Sequence, residues 1–187
     1  MEPMAARTKL QSDRDWSVAD AYELLPENGT RRFEVIDGEL VVSPEASWQH
    51  QRRIFDIAMV LDAACPAHLQ VSGGPINLDI GDRRHLEPDL VVKRLADLDR
   101  AESVPVLIVE VLSPSNRRHD THRKRAVYEE LGVAAYWLVD PLVPSVAVLD
   151  LEHGTYVETA HIGPGSAVEV ARPFSVRLAP SEWSPLD

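Results

Sequence analysis

The stretch PVLIVEVLS, at positions 105–113, decides the fold of this chain of 187 residues. It is apolar from Val106 to Leu112 except at Glu110, and such a run is typical of a β-strand buried on both faces. A carboxylate inside that strand has lost much of its water, so it must be paired, protonated or bound to a metal ion. Glu110 is therefore a candidate site residue, although a buried ion pair that supports the core would give the same pattern.

A helix is predicted directly after this strand. Beyond Ser113 the helical periodicity runs from about Arg117 to Leu131, and Gly132 is a favourable residue just after a helix end. A second apolar strand follows over 134–139. Strand–helix–strand units return the helix over the sheet. The sequence therefore predicts an α/β fold with a mixed central β-sheet flanked by helices.

One face of this helix carries Asp120, Lys124, Tyr128 and Leu131 at i, i+4, i+8 and i+11. Lys124 can therefore approach the end of the strand that carries Glu110. Lysine is rare here, since only three of the 19 lysine and arginine residues are lysines. A compact ammonium with an adjustable pKa suits a site that positions water or phosphate. The alternative is a surface ion pair of Lys124 with Asp120, worth only ~0.3–0.5 kcal/mol.

The charge of the chain is unevenly distributed. A net charge of −11 argues against broad, nonspecific binding of nucleic acid. Between Ser113 and Arg125, however, five basic side chains face only one acid, Asp120, and could hold a phosphate backbone. They are Arg117, Arg118, Arg123, Lys124 and Arg125. A solvated helix face balanced by nearby acids is an equally compatible interpretation, because short runs of charge are weak indicators.

The overall composition is that of a globular protein, with 44% hydrophobic and 26% charged residues. We expect an N-terminal arm over 1–16 and a single domain over 17–187. Cys65 is the only cysteine, which rules out an internal disulfide and fits a reducing compartment. The sequence contains neither an apolar run that approaches a membrane span nor a signal-peptide core, so the expected location is the cytoplasm.

Local signals place further elements in the first third of the chain. Ser17 and Asp20 resemble a helix capping box. The pair Asp37-Gly38 predicts a hairpin between strands over 32–36 and 39–43, on which Glu34 has the pattern of an outward residue. A long helix is predicted over 44–64, with His50 near its start, where it could face a site.

The middle of the chain contains a second candidate acid. A hairpin is predicted over 68–80 with Gly73-Gly74 at its turn, followed by a charged loop over 81–85. Asp89 follows Pro88 and precedes an apolar run, and proline suits a strand entrance. An acid at the mouth of a buried strand is commonly a turn or cap residue. Asp89 gains interest because Glu110 follows 21 residues later on another predicted strand.

Several of these pieces together resemble the Uma-two family of restriction-endonuclease-like proteins, over roughly Ser17 to Leu178. The resemblance lies in the order and spacing of FEVIDGEL (33–40), EPDL (87–90), IVEVLSPS (108–115) and GVAAYWLVDP (132–141). Asp120, Lys124 and Tyr128 fall between the last two segments. That family is assigned to the PD-(D/E)xK nuclease superfamily. The resemblance therefore implies a restriction-endonuclease-like fold and metal-dependent endonuclease activity.

The resemblance also implies roles for four residues. Asp89 matches the first acid of the motif and Glu110 matches the second, and both would bind Mg²⁺ or Mn²⁺. Leu112 stands where the motif has its lysine, and in similar proteins that lysine is moved to the following helix, which corresponds to Lys124. Lys124 would orient or help to deprotonate the attacking water. Glu34 matches an additional acid near the site.

The implied partner is nucleic acid, with DNA as the expected substrate. The candidate contacts are Arg117, Arg118, Arg123 and His50. A homodimer is compatible with the sequence. The competing hypothesis is a noncatalytic module that binds nucleic acid or protein and keeps the nuclease fold.

Two other kinds of site fit the sequence less well. His119 and His122 lie three residues apart on the predicted helix, but neither a cysteine nor a further histidine nearby completes a zinc site. Paired acids could also hydrolyse glycosides. That chemistry needs neither the lysine nor the basic helix.

Overall fold

The computed structural model describes residues 14–25, 32–43, 46–74, 76–100, 103–114 and 117–185. The helices in these ranges are α1 (Val18–Leu24), α2 (Trp48–Ala64) and α3 (Arg125–Leu131). The strands are β1 (Arg32–Ile36), β2 (Glu39–Ser43), β3 (Leu69–Gly73), β4 (Leu78–Asp79), β5 (His85–Leu86), β6 (Leu90–Arg94), β7 (Leu107–Val111), β8 (Ala135–Asp140), β9 (Ser145–Glu152), β10 (Thr155–Ile162), β11 (Val168–Val170) and β12 (Val176–Leu178). In these ranges no helix is long and apolar enough to cross a membrane.

The chain divides into two compact units. The first comprises residues 1–46 and 77–87, and the second comprises residues 47–76 and 88–187. The predicted N-terminal arm over 1–16 lies mostly outside the described residues, which begin at Arg14. A single domain over 17–187 remains a prediction.

The second unit is built on a six-stranded sheet in the order β10-β9-β8-β7-β6-β3. Strands β7 and β8 run parallel, with Glu110 aligned to Leu138, and the other neighbours are antiparallel. The connection from β7 to β8 passes through a π-helical segment, His119–Lys124, and then through α3. A mixed sheet flanked by helices confirms the predicted α/β class.

Alternation along β7 separates the two faces of this sheet. The odd-numbered residues of β7 are buried with Trp137 in an apolar core, and α2 contributes Ile54, Ile57 and Leu61 to that core. Glu110 therefore points to the opposite face, where Lys124 and Tyr128 contact it. Fully burying one large aliphatic side chain contributes about 1.5–3 kcal/mol. The apolar face thus stabilises the strand that carries Glu110.

Residues near the C-terminus fix α2 in place. Arg53, which is only 3% exposed, donates to Asp56 Oδ2 at 3.0 Å and to the Ser184 carbonyl at 3.3 Å. Its guanidinium also lies 5.2 Å from the Trp183 ring. Ser184 Oγ donates to the other oxygen of Asp56 at 3.0 Å. A buried guanidinium needs such partners, because leaving it unpaired would cost several kcal/mol in lost hydration.

The first unit contains a four-stranded antiparallel sheet in the order β2-β1-β5-β4. The predicted capping box is present at the start of α1, where Ser17 Oγ accepts the Asp20 N–H at 3.0 Å. Strands β1 and β2 form the predicted hairpin, and its turn residues Asp37 and Gly38 have φ angles of 53° and 80°. A tight type I′ turn needs both residues in this left-handed region, which explains the Asp-Gly pair.

The predicted hairpin over 68–80 is wrong. Strand β3 pairs with β6 and β4 pairs with β5, so the two strands lie in different sheets. At Gly73 a Cβ atom would lie 2.9 Å from Leu90 Cδ2, so any larger residue would displace this buried leucine, and glycine lets β3 pack closely on β6. Gly74 has a φ angle of 107°, and its N–H donates to the Asp89 carbonyl at 3.3 Å. These glycines therefore hold the chain beside β6 and do not form a hairpin turn.

Three other segments differ from their predicted form. Helix α2 begins at Trp48 with Ser47 as its N-cap, whereas the predicted start, Pro44, lies outside the described residues. The predicted helix over 117–131 contains the π-helical segment before α3. The predicted charged loop over 81–85 becomes the turn between β4 and β5, and its last residue, His85, is buried in β5.

His85 is the centre of a buried polar cluster in the first unit. Its Nδ1 lies 2.6 Å from Asp79 Oδ1 and 3.3 Å from the Tyr22 hydroxyl, and its Nε2 lies 3.5 Å from Glu87 Oε1. Burial lowers the pKa of His85, but the hydrogen bonds and charges of Glu87 and Asp79 outweigh burial and raise that pKa above its usual 6.5. Burial raises the pKa of Glu87, but His85 and Arg32 outweigh burial and lower it below its usual 4.5.

These two shifts predict how stability depends on pH. A raised folded-state pKa of His85 stabilises the fold fully below the unfolded value of about 6.5, and this contribution is lost as the pH rises through the folded pKa. The lowered pKa of Glu87 stabilises the fold above its usual value of 4.5, and this contribution is lost as the pH falls through the folded pKa. Between about pH 5.5 and pH 9, the melting temperature of the wild type should therefore fall more than that of His85→Gln.

Thermal melts of both proteins across this range measure the effect. His68, whose side chain is exposed, supplies the matched control, and His68→Gln should follow the wild type. An identical pH dependence in His85→Gln and the wild type would contradict the role of the cluster.

Candidate active site

Asp89 and Glu110 lie at the same end of two neighbouring strands in the second unit. Glu110 is in β7, and Asp89 immediately precedes β6. The register pairs Leu90 with Val109, so extending it by one residue places Asp89 opposite Glu110. Both acids are buried, with 4% and 2% of their surface exposed. A metal ion shared by the two carboxylates remains a prediction.

Two side chains of the crossover helix hold Glu110. Lys124 Nζ donates to Glu110 Oε1 at 2.9 Å, and the Tyr128 hydroxyl donates to the same oxygen at 2.9 Å. Lys124 Nζ also lies 3.3 Å from Asp120 Oδ1. The π-helical segment that connects β7 to α3 thus places one ammonium between its own Asp120 and Glu110 of β7.

The interpretation of Asp120 and Lys124 as a surface ion pair is wrong, because each residue is only 2% exposed. Both charges are withdrawn from water, so the pair cannot be treated as a weak, solvated contact. Among the buried residues of this region, three acids (Asp89, Glu110 and Asp120) accompany Lys124 and His50. Even with His50 protonated these acids would outnumber the bases.

The π-helical segment explains why Asp120, Lys124 and Tyr128 share one narrow face. In an α-helix, with about 3.6 residues per turn, each step of four residues overshoots a full turn by about 40°. In the wider turn of a π-helix, whose hydrogen bonds join residues five apart, a step of four falls short of a full turn. The step from Asp120 to Lys124 lies within the π-helical segment, and the step to Tyr128 enters α3. The shortfall in rotation over the π-helical step and the overshoot over the α-helical step largely cancel, so the three side chains all face the sheet.

Tyr136 of β8 supports the π-helical segment from the sheet. Its hydroxyl donates to the Asp120 carbonyl at 2.9 Å, and its ring contacts the Tyr128 ring edge-on at 5.1 Å. Burial, together with the negative charges of Glu110 and Asp120, raises the pKa of Tyr136 well above its usual range. The hydroxyl therefore stays protonated and keeps donating.

Sequence reasoning did not identify Tyr136. A partial signal was present, because a strand–helix–strand unit predicts parallel strands and alternation limits Tyr136 to one of two faces. The observed register places Tyr136 beside Ile108. Ile108 shares the face of Glu110, two residues later on β7. A polar group at the tip of an aromatic side chain could therefore have been expected near the acid.

Asp89 is held by Val111 and His50. The Val111 N–H donates to Asp89 Oδ2 at 2.8 Å. His50 Nε2 lies 3.3 Å from the same Asp89 oxygen and 2.9 Å from the Val111 carbonyl oxygen. His50 is 9% exposed, so most of its side chain faces the interior. Its contact with nucleic acid remains a prediction, whereas its contact with Asp89 was not anticipated.

Glu34 belongs to β1 of the first unit. Its pattern suggested an outward side chain, and that interpretation is wrong, because Glu34 is 7% exposed and its Oε1 accepts the Glu87 N–H at 3.0 Å. The strand does not alternate between buried and exposed residues, since every residue from Phe33 to Ile36 is buried. Its role as an additional acid of the active site remains a prediction.

The three arginines of the predicted basic face differ in how exposed they are and in their partners. Arg117 is exposed and donates to Asp140 Oδ2 at 2.6 Å, so part of its charge is already balanced. Arg118 is exposed, and Arg123 is partly buried. A phosphate backbone could reach Arg118 most readily, but contact with nucleic acid remains a prediction for all three.

The oxygen donors of Asp89 and Glu110 suit Mg²⁺ or Mn²⁺ better than zinc. Mg²⁺ is commonly held by one or two carboxylates, with water and phosphate oxygens completing its coordination. Within the described ranges, no group of three or more His, Cys, Asp or Glu side chains is arranged to hold a metal ion. A closed zinc site needs such a group, so the described residues offer no support for zinc at His119 and His122.

Comparison with known proteins agrees with the resemblance found in the sequence. The family model Uma2, described as "Putative restriction endonuclease", matches residues 19–181. No curated protein matches the chain. A similar solved structure is that of "a putative nuclease belonging to DUF820 from Anabaena variabilis ATCC 29413", with a TM-score of 0.65 and 20% identity. The match covers 81% of this chain and 87% of that chain, and it shows that the two share a fold.

The buried position of Lys124 predicts a large effect on stability. Lys124→Met removes the ammonium between Glu110 and Asp120 and leaves buried acids without it, so the free energy of unfolding should fall by about 3–5 kcal/mol. Adding Glu110→Gln should restore part of the loss, because it removes one of the stranded charges. Urea denaturation at neutral pH measures each difference.

Lys93 on β6 supplies the matched control. Lys93→Met should change the free energy of unfolding by no more than about 0.5 kcal/mol. A loss of less than about 1 kcal/mol in Lys124→Met would show that Glu110 and Asp120 do not depend on this ammonium in the folded protein.

Proposed function

Because this chain belongs to the Uma2 family of putative restriction endonucleases, we propose that it hydrolyses phosphodiester bonds in nucleic acid with the aid of Mg²⁺ or Mn²⁺. DNA is the proposed substrate. The observation that carries the proposal is the 2.9 Å contact of Lys124 with Glu110, at the strand end that also carries Asp89. These are the two acids and the lysine that such a nuclease requires.

Phosphodiester hydrolysis needs an activated water and a neutralised phosphate charge. Asp89 and Glu110 would hold the metal ion, which, when bound, lowers the pKa of a coordinated water and polarises the phosphate. The excess of buried acid described above supports a cation at this position.

Lys124 is proposed to orient the attacking water and to stabilise the charge that develops on phosphate. Its ammonium is well placed for this task, because Glu110 and Asp120 hold it from two sides. A donor that is already oriented loses little conformational entropy when the reaction begins. Tyr128 and Tyr136 would then act by keeping Glu110 and the π-helical segment in place.

Cleavage of supercoiled plasmid and of oligonucleotides tests the proposal. The wild type should cleave with Mn²⁺ or Mg²⁺ and stop when the metal is chelated, and Asp89→Ala and Glu110→Ala should lose cleavage. Lys124→Arg should keep Mn²⁺ binding but lose about 10²–10⁴ in rate, because a guanidinium is larger, planar and effectively never deprotonated.

Lys93→Arg is the control and should cleave at the wild-type rate. A wild-type rate in Lys124→Arg would overturn the catalytic role of Lys124. A wild type that binds nucleic acid but never cleaves it would favour the noncatalytic module.

The basic face makes a separate prediction about binding. Each lost phosphate contact should lower the slope of log affinity against log salt by about 0.9, since fewer counterions are released. Replacing Arg117, Arg118 and Arg123 together by glutamine should therefore flatten the slope, and Arg118→Gln should account for more of the change than Arg117→Gln. Fluorescence anisotropy with a labelled duplex measures these slopes.

Arg177, an exposed residue of β12 paired with Glu182 at 2.7 Å, provides the control. Arg177→Gln should leave the slope unchanged. If the wild type binds neither DNA nor RNA at low salt, the protein-binding form of the noncatalytic module gains support.

A further inference from the structure

Side chains bind both polar backbone groups of Val111, the residue directly after Glu110. The Val111 N–H donates to Asp89 Oδ2 at 2.8 Å, and the Val111 carbonyl oxygen lies 2.9 Å from His50 Nε2. The acid that precedes β6 and the histidine of α2 thus meet on one backbone unit at the end of β7. The three residues form a closed contact, because His50 Nε2 also lies 3.3 Å from Asp89 Oδ2.

The chemistry of this contact determines which nitrogen of the imidazole carries a hydrogen. A carbonyl oxygen only accepts hydrogen bonds, so Nε2 must carry a hydrogen in order to bind Val111. The same N–H can be shared with Asp89 Oδ2, at the longer of the two distances. A carboxylate at 4% exposure has lost its water, so each protein donor contributes strongly to its orientation.

His50 is itself rigidly mounted. It is the third residue of α2, and its N–H donates to the side chain of the N-cap residue Ser47 at 3.2 Å. Farther along, α2 is packed into the core and tied to the C-terminal segment through Arg53. Because α2 is long and well packed, it fixes the position of the His50 imidazole, and the imidazole in turn orients the Asp89 carboxylate.

We infer that His50 is a positioning residue, which holds the Asp89 carboxylate in place for metal binding through its Nε2–H donor. The inference rests on the proposed function for the ligand role of Asp89. Carboxylates that bind metal ions are themselves held by hydrogen bonds, and the loss of such a partner typically costs about 10–100-fold in metal affinity or activity. His50 does not need to touch nucleic acid to play this part.

A matched pair of substitutions isolates the donor. His50→Gln places an amide N–H near the position of Nε2, whereas His50→Met has a similar length and no donor. Mn²⁺ affinity is measured by calorimetry in the absence of nucleic acid. The Mn²⁺ dissociation constant of His50→Met should rise by about 10-fold or more, and that of His50→Gln should stay within about 3-fold of the wild type.

A second readout needs no metal and no activity. The Val111 amide hydrogen is protected by Asp89 Oδ2, so its exchange with solvent reports whether the carboxylate stays in place. Exchange at Val111 should be faster in His50→Met than in His50→Gln and the wild type. His68→Met, at an exposed position, is the control and should change neither readout. If His50→Met fails to fold in a thermal melt, His50→Asn, which places its donor nearer to Nδ1, takes its part.

The outcomes separate this inference from its alternatives. Equal defects in His50→Gln and in His50→Met, or in the His50→Asn that replaces it, would overturn the role of a donor at the Nε2 position. Unchanged Mn²⁺ affinity and Val111 exchange, with a raised KM for DNA alone, would overturn the inference in favour of direct contact with nucleic acid. A wild type that does not bind Mn²⁺ would overturn the ligand role of Asp89 and the inference with it. Mn²⁺ binding that depends on His50, in a protein that never cleaves nucleic acid, would overturn the proposed nuclease function and support the inference.

Discussion

The ion pair between Glu110 and Lys124 is the interaction on which the second unit depends. A carboxylate in a strand buried on both faces needs a partner, and the crossover between β7 and β8 supplies it in Lys124. That crossover must deliver an ammonium at the correct depth. The π-helical segment does so by keeping Asp120, Lys124 and Tyr128 on one face, and Tyr136 holds the segment by its backbone.

The sequence predicted the elements whose signals are local. An apolar run broken by Glu110 indicated the buried strand, and Asp37-Gly38 indicated a turn whose geometry few other residues adopt. The same reasoning failed at Gly73-Gly74, because a glycine needed for close packing looks identical in sequence to a glycine needed for a turn. The sequence also did not distinguish the π-helical segment from an α-helix, since a spacing of four residues fits both helix types over one turn.

In the site, the sequence did not predict most contacts between residues that are far apart in the chain. Lys124 could be placed near Glu110 because a strand–helix–strand unit fixes their topology. Nothing comparable connects His50 with Asp89, which lie far apart in sequence and meet both directly and at the backbone of Val111. Glu34 and His85 show the same limit in the first unit, since both are polar residues on strands yet both are buried and hydrogen-bonded. A two-residue alternation describes the apolar side of a strand better than it describes a buried polar network.

Stability alone does not account for the arrangement around Glu110. Well-packed apolar side chains of similar volume often replace a buried ion pair at no loss of stability, because desolvation of two charges consumes much of their attraction. Asp120, as a second buried acid beside Lys124, would then add a further desolvation penalty to the core. If, as proposed, the acids also bind a cation and the ammonium also contacts a phosphate, each buried charge has a second partner that offsets its loss of water. The position of the lysine fits this argument, since Lys124 comes from the helix beyond β7 and its ammonium lies 2.9 Å from Glu110 Oε1.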